Sequence, residues 1–120
     1  GIALGLDSPR VVSLLGAPDS VVRRTRADSV GPPRVQDWHY RDVAVTFAAG
    51  KVFGITLLTA RYLSARGVRV NDLESHVRAA YGAPFLSADT LQYMDGEGEP
   101  ALGFVVAGGH VIRIVVYFWE

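Results

Sequence analysis

The stretches LLGAPDS (residues 14–20) and AYGAPFL (residues 80–86) each place Gly-Ala-Pro directly after an apolar, helix-like segment. A glycine at this position supplies the positive φ with which many helices end. A proline two residues later cannot continue the helix. We therefore predict that one short helix ends at Gly16 and another at Gly82, and that both glycines have a positive φ.

Further matches between the two halves of the chain follow in the same order. Trp38-His39-Tyr40 aligns with Leu91-Gln92-Tyr93, and VTFAAGKVFGITL (45–57) aligns with FVVAGGHVIRIVV (104–116). Ordered self-similarity of this kind is the signature of an internal repeat. The pattern predicts a tandem duplication in a single compact domain, with repeat one at 1–58, a linker at 59–66 and repeat two at 67–120.

Local patterns divide each repeat into one helix followed by strands. Ser8 before Pro9, and Asn71 three residues before Glu74, are typical of helix N-termini. We predict an α+β fold of two tandem α-β-β-β repeats, with an antiparallel sheet and the short helices packed on one face. The predicted strands are Val21–Ala27, Val35–Tyr40, Val43–Ala48, Lys51–Leu58, Thr90–Met94, Leu102–Ala107 and His110–Trp119.

The composition is that of a folded domain with little to mark its compartment. Apolar residues make up 49% of the 120 residues, there is no cysteine, and the formal net charge is zero. Disulfides and thiolate metal sites are therefore excluded. No apolar run approaches the roughly 20 residues of a membrane-spanning helix, and Gly1 to Leu4 lack the features of a signal peptide. An export signal removed from a mature form fits the same sequence.

The sequence resembles a known family of proteins. The order of its motifs is similar to that of the BamE (SmpA/OmlA) family: a glycine-rich lead-in, a short helix, Leu-Gly-x-Pro, a Trp-x-Tyr strand and a hairpin closing on glycine. Two such units in tandem resemble the β-lactamase inhibitor proteins. The lipobox cysteine of the former and the disulfides of the latter are absent. The matching residues are Gly5, Val11, Leu15–Pro18, Trp38–Tyr40, Val45–Phe47, Gly50–Val52, Val77, Tyr81–Pro84, Tyr93 and Gly109–Val111.

The resemblance implies a bacterial cell-envelope or secreted protein that is not an enzyme and binds other proteins through its sheet or loops. The residues themselves also favour a protein that is not an enzyme. His39, His76 and His110 have no metal-ligand spacing. The serines offer no nucleophile elbow, and the glycines form no phosphate-binding loop. We expect no catalytic residue, no metal and no cofactor. A cytoplasmic location stays open.

Aromatic residues are the main candidates for protein contact, because tyrosine and tryptophan are favoured interface anchors. Trp38 and Tyr40 point to one side of a strand, as do Tyr117 and Trp119, and Tyr93 lies on a further strand. Two interpretations remain open: these side chains form the core beneath the helices, or they lie on the opposite face and contact a partner.

Two charged stretches complete the candidate contacts. Arg24 and Arg26 share one face of a predicted edge strand, where positive charge also protects against aggregation. Asp95, Glu97 and Glu99 form an acidic loop in which the full pattern of a calcium site is missing. The zero net charge argues against nucleic acid as a partner.

The C-terminal strand is apolar on both faces, which indicates a central strand or an interface, including a homodimer through residues 111–119. The leading hypothesis is a non-catalytic protein-binding or scaffold module whose partner is another protein. The alternative is a sensor domain that holds a small ligand in a groove between the repeats.

Overall fold

The computed structural model describes residues 4–25, 34–64, 66–84, 86–87, 89–94 and 101–117. Two short helices and eight strands follow one another along the described chain. The elements are α1 (Ser8–Leu15), β1 (Ser20–Thr25), β2 (Arg34–His39), β3 (Val43–Ala48), β4 (Lys51–Leu57), α2 (Glu74–Tyr81), β5 (Leu86–Ser87), β6 (Thr90–Met94), β7 (Ala101–Ala107) and β8 (His110–Tyr117).

The strands form one continuous antiparallel sheet in the order β1-β2-β3-β4-β8-β7-β6-β5. The prediction of two tandem α-β-β-β repeats is therefore wrong: four strands follow each helix, and all eight belong to a single sheet. The additional strand of the second half, β5, has only two residues, which is too short to produce a recognisable alternation. The broader α+β class is compatible with this architecture.

Helix α1 begins one residue earlier than its sequence signals indicate. Asp7, and not Ser8, is the N-cap, and its carboxylate accepts a hydrogen bond from the Arg10 amide at 3.1 Å. The helix buries Val11 completely against the sheet. It ends at Gly16, whose φ of 83° and ψ of −167° confirm the predicted positive φ.

Helix α2 ends in the same way and begins differently. Gly82 has φ 85° and ψ −154°, again as predicted. The predicted N-cap, Asn71, instead occupies a positive-φ turn at 81°, and Leu73 is the N-cap without any side-chain hydrogen bond. The carboxylate of Asp72 accepts a hydrogen bond from the Arg69 amide and lies 3.1 Å from the ring of His76. The prediction fails at Asn71 because asparagine suits both an N-cap and a left-handed turn.

Each half of the sheet contains a tight hairpin, as the sequence predicts. Ala49 and Gly50 join β3 to β4, and Gly108 and Gly109 join β7 to β8. All four residues have a positive φ, which is the conformation that a two-residue turn needs to match the twist of its strands. Both hairpins also contain a bulge, at residues 46/47 in the first and at 105/106 in the second.

The core lies between the sheet and the two helices. One cluster surrounds Val11 of α1 and the other surrounds Val77 of α2, and Leu57 in the middle of the sheet packs against both. The buried members of the first cluster are Val11, Val43, Val45, Phe47, Val52 and Ile55. Those of the second are Val68, Val70, Val77, Leu91, Tyr93, Phe104, Val111 and Ile114.

The segment between β4 and α2 is tied to the domain at both ends. Thr59 and Arg61 both bond the carboxylate of Asp42, at 2.9 and 3.3 Å. At the other end, the Ser64 hydroxyl accepts from the Tyr81 hydroxyl at 2.8 Å and from the Val68 amide at 3.0 Å. Neither helix in the described part of the chain has the length and apolarity needed to cross a membrane.

Candidate protein-contact surface

The two faces of the sheet differ in what covers them. We call the side on which α1 and α2 pack the helix face, and the other side, on which no helix of the described residues packs, the open face. Three small or apolar residues of the open face are nevertheless buried: Val35, Ala48 and Ala101. Registered partners on neighbouring strands share a face, so the register assigns each side chain. Two rows cross the open face: Val22, Asp37, Thr46, Gly54, Tyr117 and Ala101, and then His39, Ala44, Thr56, Val115, Gly103 and Gln92.

Three of the candidate aromatic residues lie on the helix face. The Trp38 ring packs on Phe47, with 4.6 Å between ring centroids. Tyr40 packs against the first core cluster, and Tyr93 is part of the second, with only 8% of its surface exposed. The structure therefore places these three side chains on the side of the helices, with Tyr93 in the core and Trp38 and Tyr40 half-buried against it.

The hydroxyls of Tyr40 and Tyr93 have an identifiable structural role. Tyr40 donates to the Gly16 carbonyl and Tyr93 to the Gly82 carbonyl, both at 2.9 Å. Burial raises the pKa of the Tyr40 phenol above its usual value near 10, and the negative charge of Asp19 raises it further. Burial also raises the pKa of Tyr93; Arg78 opposes this shift and Glu74 adds to it. Both phenols are therefore stabilised as hydrogen-bond donors.

Tyr117 lies on the open face, near the centre of the sheet. Its side chain is half-buried, and its hydroxyl donates to the Gln92 amide oxygen at 3.2 Å. The ring lies beside Gly103 of the neighbouring strand, where a Cβ added to the glycine would come within 4.0 Å of it. An aromatic ring beside a strand glycine replaces packing that the glycine lacks. Tyr117 is the candidate whose position fits a surface anchor.

Small side chains surround Tyr117. Gly54 and Gly103 lie inside strands, where glycine marks places at which another backbone or a ligand can approach closely. The Thr46 hydroxyl donates to the Asp37 carboxylate at 2.7 Å, which fixes both side chains along the sheet. Around Tyr117 the open face therefore combines glycines with small side chains and hydrogen-bonding groups.

The charged candidates lie at the periphery or beyond the described residues. Arg24 is part of β1, the first strand of the sheet, and pairs with Val35 of β2. Arg26, Asp95, Glu97, Glu99 and Trp119 fall outside the described residues.

Two of the described histidine side chains, those of His76 and His110, make local contacts. His76 of α2 lies 3.1 Å from Asp72, which precedes the helix, and His110 Nδ1 lies 3.1 Å from the Gly108 carbonyl. Across the described ranges no three His, Asp or Glu side chains come together in a way that would hold a metal ion.

Sequence reasoning missed the open-face residues Gly54, Gly103 and Gln92. Gly54 and Gly103 interrupt otherwise apolar strands, and an isolated glycine in a strand is a signal for close backbone approach. That signal is present in the sequence. The hydrogen bond from Tyr117 to Gln92 has no such signal, because it joins residues on two strands that are not neighbours in the sheet.

Comparisons with known proteins concern the fold. No protein-family model matches the sequence, and no curated protein does. Among solved structures, an extracellular protein containing an SCP domain from Bacillus anthracis str. Ames matches with a TM-score of 0.59 and 11% identity. The match covers 96% of this chain and 44% of that one, so this chain spans less than half of its structural neighbour. At this identity, the similarity is one of fold alone.

Proposed function

We propose that this domain is a non-catalytic protein-binding or scaffold module and that the open face of its sheet is the contact surface. The observation that carries the proposal is the position of Tyr117. Its half-buried ring lies among small side chains on the face opposite both helices. A rigid aromatic side chain on a partly apolar surface is a typical anchor at protein interfaces.

The shape of the surface supports a macromolecular partner. The two rows of the open face cross at least six neighbouring strands. At about 4.8 Å between strands, six strands span roughly 24 Å, which is a width suited to a protein surface. Hydrogen-bonding groups of Gln92, Thr56 and Thr46 lie beside the apolar Val115 and Tyr117, and such mixtures are usual at non-obligate interfaces.

We further propose that the domain functions in a bacterial cell envelope or in a secreted protein. The support is the sequence resemblance to BamE-type domains and the fold of a structural neighbour that is itself extracellular. The partner is another protein. Strand β8 is paired on both sides over Ile114–Tyr117, so a homodimer formed by strand addition finds no free edge there.

The test is affinity capture from an envelope and culture-supernatant fraction with matched baits. The wild-type domain, Tyr117→Arg and Ser13→Arg should be compared, because Ser13 is exposed on α1 and accepts the same new side chain away from the open face. The proposal predicts a partner that is lost with Tyr117→Arg and retained with Ser13→Arg. No reproducible partner, or one that ignores Tyr117→Arg and is lost with Ser13→Arg, would contradict it.

A further inference from the structure

Strand β1 is the outermost strand on one side of the sheet. It pairs with β2 through the whole register from Ser20 to Thr25, and within the described residues no strand lies on its other side. The outer backbone amides and carbonyls of such a strand form a template for an additional strand. The opposite edge of the sheet offers a much shorter backbone for strand pairing, because β5 consists of Leu86 and Ser87 only.

Two exposed valines of β1 lie on opposite faces of the sheet. Val21 faces the helix side beside Trp38, and Val22 faces the open side beside Asp37. Each is more than two-fifths exposed, at 41% and 45%. Within the described residues these two valines have a neighbouring strand on one side only, so an added strand would cover apolar surface on both faces. Burial of this kind contributes about 25 cal/mol for each Å² removed from water.

The positive charge of β1 favours an acidic partner segment over a basic one. Arg23 and Arg24 are consecutive in β1, and the Arg23 side chain is exposed. The first seventy residues carry ten basic and five acidic side chains. Opposite charges on neighbouring strands are stabilising and like charges are destabilising. A second copy that pairs β1 with β1 would bring two basic strands together, whereas an acidic segment would complement the strand.

From these observations we propose that the free edge of β1 binds an extended acidic peptide segment of a partner protein as an additional strand of the sheet. The inference rests on the proposed protein-binding function and names a second surface, distinct from the open face around Tyr117. Backbone hydrogen bonds would supply affinity, and the basic residues of the strand would supply selectivity for acidic side chains.

The direct test uses two synthetic peptides that alternate Val or Thr with Glu in one case and with Lys in the other. Binding should be measured by NMR, with hydrogen exchange of the Ser20–Thr25 amides as the site-specific readout. We expect the Glu peptide to bind and to slow exchange in β1, and the Lys peptide not to bind. Arg23→Glu should weaken binding of the Glu peptide by about tenfold or more, equivalent to about 1.4 kcal/mol.

A matched control and a charge swap make the test specific. Arg113→Glu makes the same change at an exposed residue of β8, a central strand, and should leave the affinity unchanged. The Lys peptide should gain affinity for the Arg23→Glu domain. Unchanged thermal stability of both variants establishes that they are folded.

Three results would overturn the inference: equal affinity for both peptides, no binding of the Glu peptide, or dimerisation through β1 at rising protein concentration. Its failure is separable from that of the proposed function. If Tyr117→Arg abolishes capture of a partner while the Glu peptide does not bind, the open-face proposal stands and the edge proposal falls. If no protein is captured by any bait, the proposed function itself fails.

Discussion

The hydroxyl of Tyr40 donates a hydrogen bond to the carbonyl oxygen of Gly16 at 2.9 Å, and so joins the end of α1 to the residue that follows β2. Tyr93 makes the same bond to Gly82 at the end of α2. The Gly-Ala-Pro motif therefore does more than end two helices. Its glycine carbonyl also accepts a hydrogen bond that ties the end of each helix to a tyrosine next to or within the sheet.

Removing these hydroxyls should destabilise the domain. Tyr40→Phe and Tyr93→Phe each delete one hydrogen bond and leave the carbonyl of a glycine without that donor, so we expect a loss of about 1 kcal/mol in the free energy of unfolding. Urea denaturation of each variant measures the change. Tyr62→Phe is the control, since no hydrogen bond of the Tyr62 hydroxyl occurs among the described residues. Equal losses in all three variants would contradict a specific role for the two bonds.

The helix-ending glycines should resist substitution for conformational reasons alone. Gly16 and Gly82 combine a φ of 83° or 85° with an extended ψ, a region that is essentially restricted to glycine. A Cβ at either position would meet nothing within 4 Å. Gly16→Ala and Gly82→Ala should therefore destabilise by about 1–3 kcal/mol through backbone strain.

Gly54→Ala provides the comparison for this strain. Its new Cβ would make ordinary contacts, the nearest at 3.5 Å to the Val116 carbonyl, and its φ lies outside the positive region. We expect a smaller loss than at Gly16 or Gly82, measured in the same denaturation series. If all three alanine variants lose the same stability, strain at the helix ends is not the cause.

Two neighbouring residues distinguish the structure from the sequence prediction at the start of α1. Asp7→Ala removes the carboxylate that accepts from the Arg10 amide and should reduce the free energy of unfolding by about 1 kcal/mol. Ser8→Ala changes a residue inside the first turn and should stay within about 0.5 kcal/mol of wild type. The reverse order of effects would show that Ser8 is the true cap.

Stability should fall at high pH because of the same two tyrosines. The pKa of Tyr40 and of Tyr93 is raised in the folded state, whereas tyrosines of the unfolded chain ionise near pH 10. The folded protein therefore holds these protons longer. This contribution is fully present below about pH 10 and is lost as the pH rises through the folded-state pKa.

Chemical denaturation midpoints measured on either side of about pH 10 check this prediction. The double variant Tyr40→Phe, Tyr93→Phe should show a shallower decline than wild type, and each single variant should lie between them. A decline with the same slope in all four proteins would assign the base sensitivity to other groups.

The sequence predicts the helix ends and the hairpin turns of this fold well. It predicts the first residue of α1 and the number of strands less well. Gly16, Gly82 and the two hairpin turns are local requirements of the backbone, so local residues reveal them. The predicted start of α1 is one residue off because Asp7 and Ser8 are both good caps. The predicted number of strands is wrong because Leu86–Ser87 is a strand only through its pairing with β6.

A bulge in β8 explains why Tyr117 lies on the other face of the sheet from Trp38, Tyr40 and Tyr93. A bulge adds one residue to a strand and reverses the alternation beyond it. In β8 the bulge occurs near Ile112, so Val111 and Ile114 both face the core while Val115 and Tyr117 reach the open face. Simple alternation from Val111 would place Tyr117 with the core, and no residue type in the strand announces the shift.

Site-directed photo-crosslinking to the captured partner tests the central claim most directly. A photoreactive residue at Thr56, in the row of the open face beside Val115, should crosslink to the partner, and one at Ser13 on α1 should not. Crosslinks from Ser13 with none from Thr56 would contradict the assignment of the open face as the contact surface.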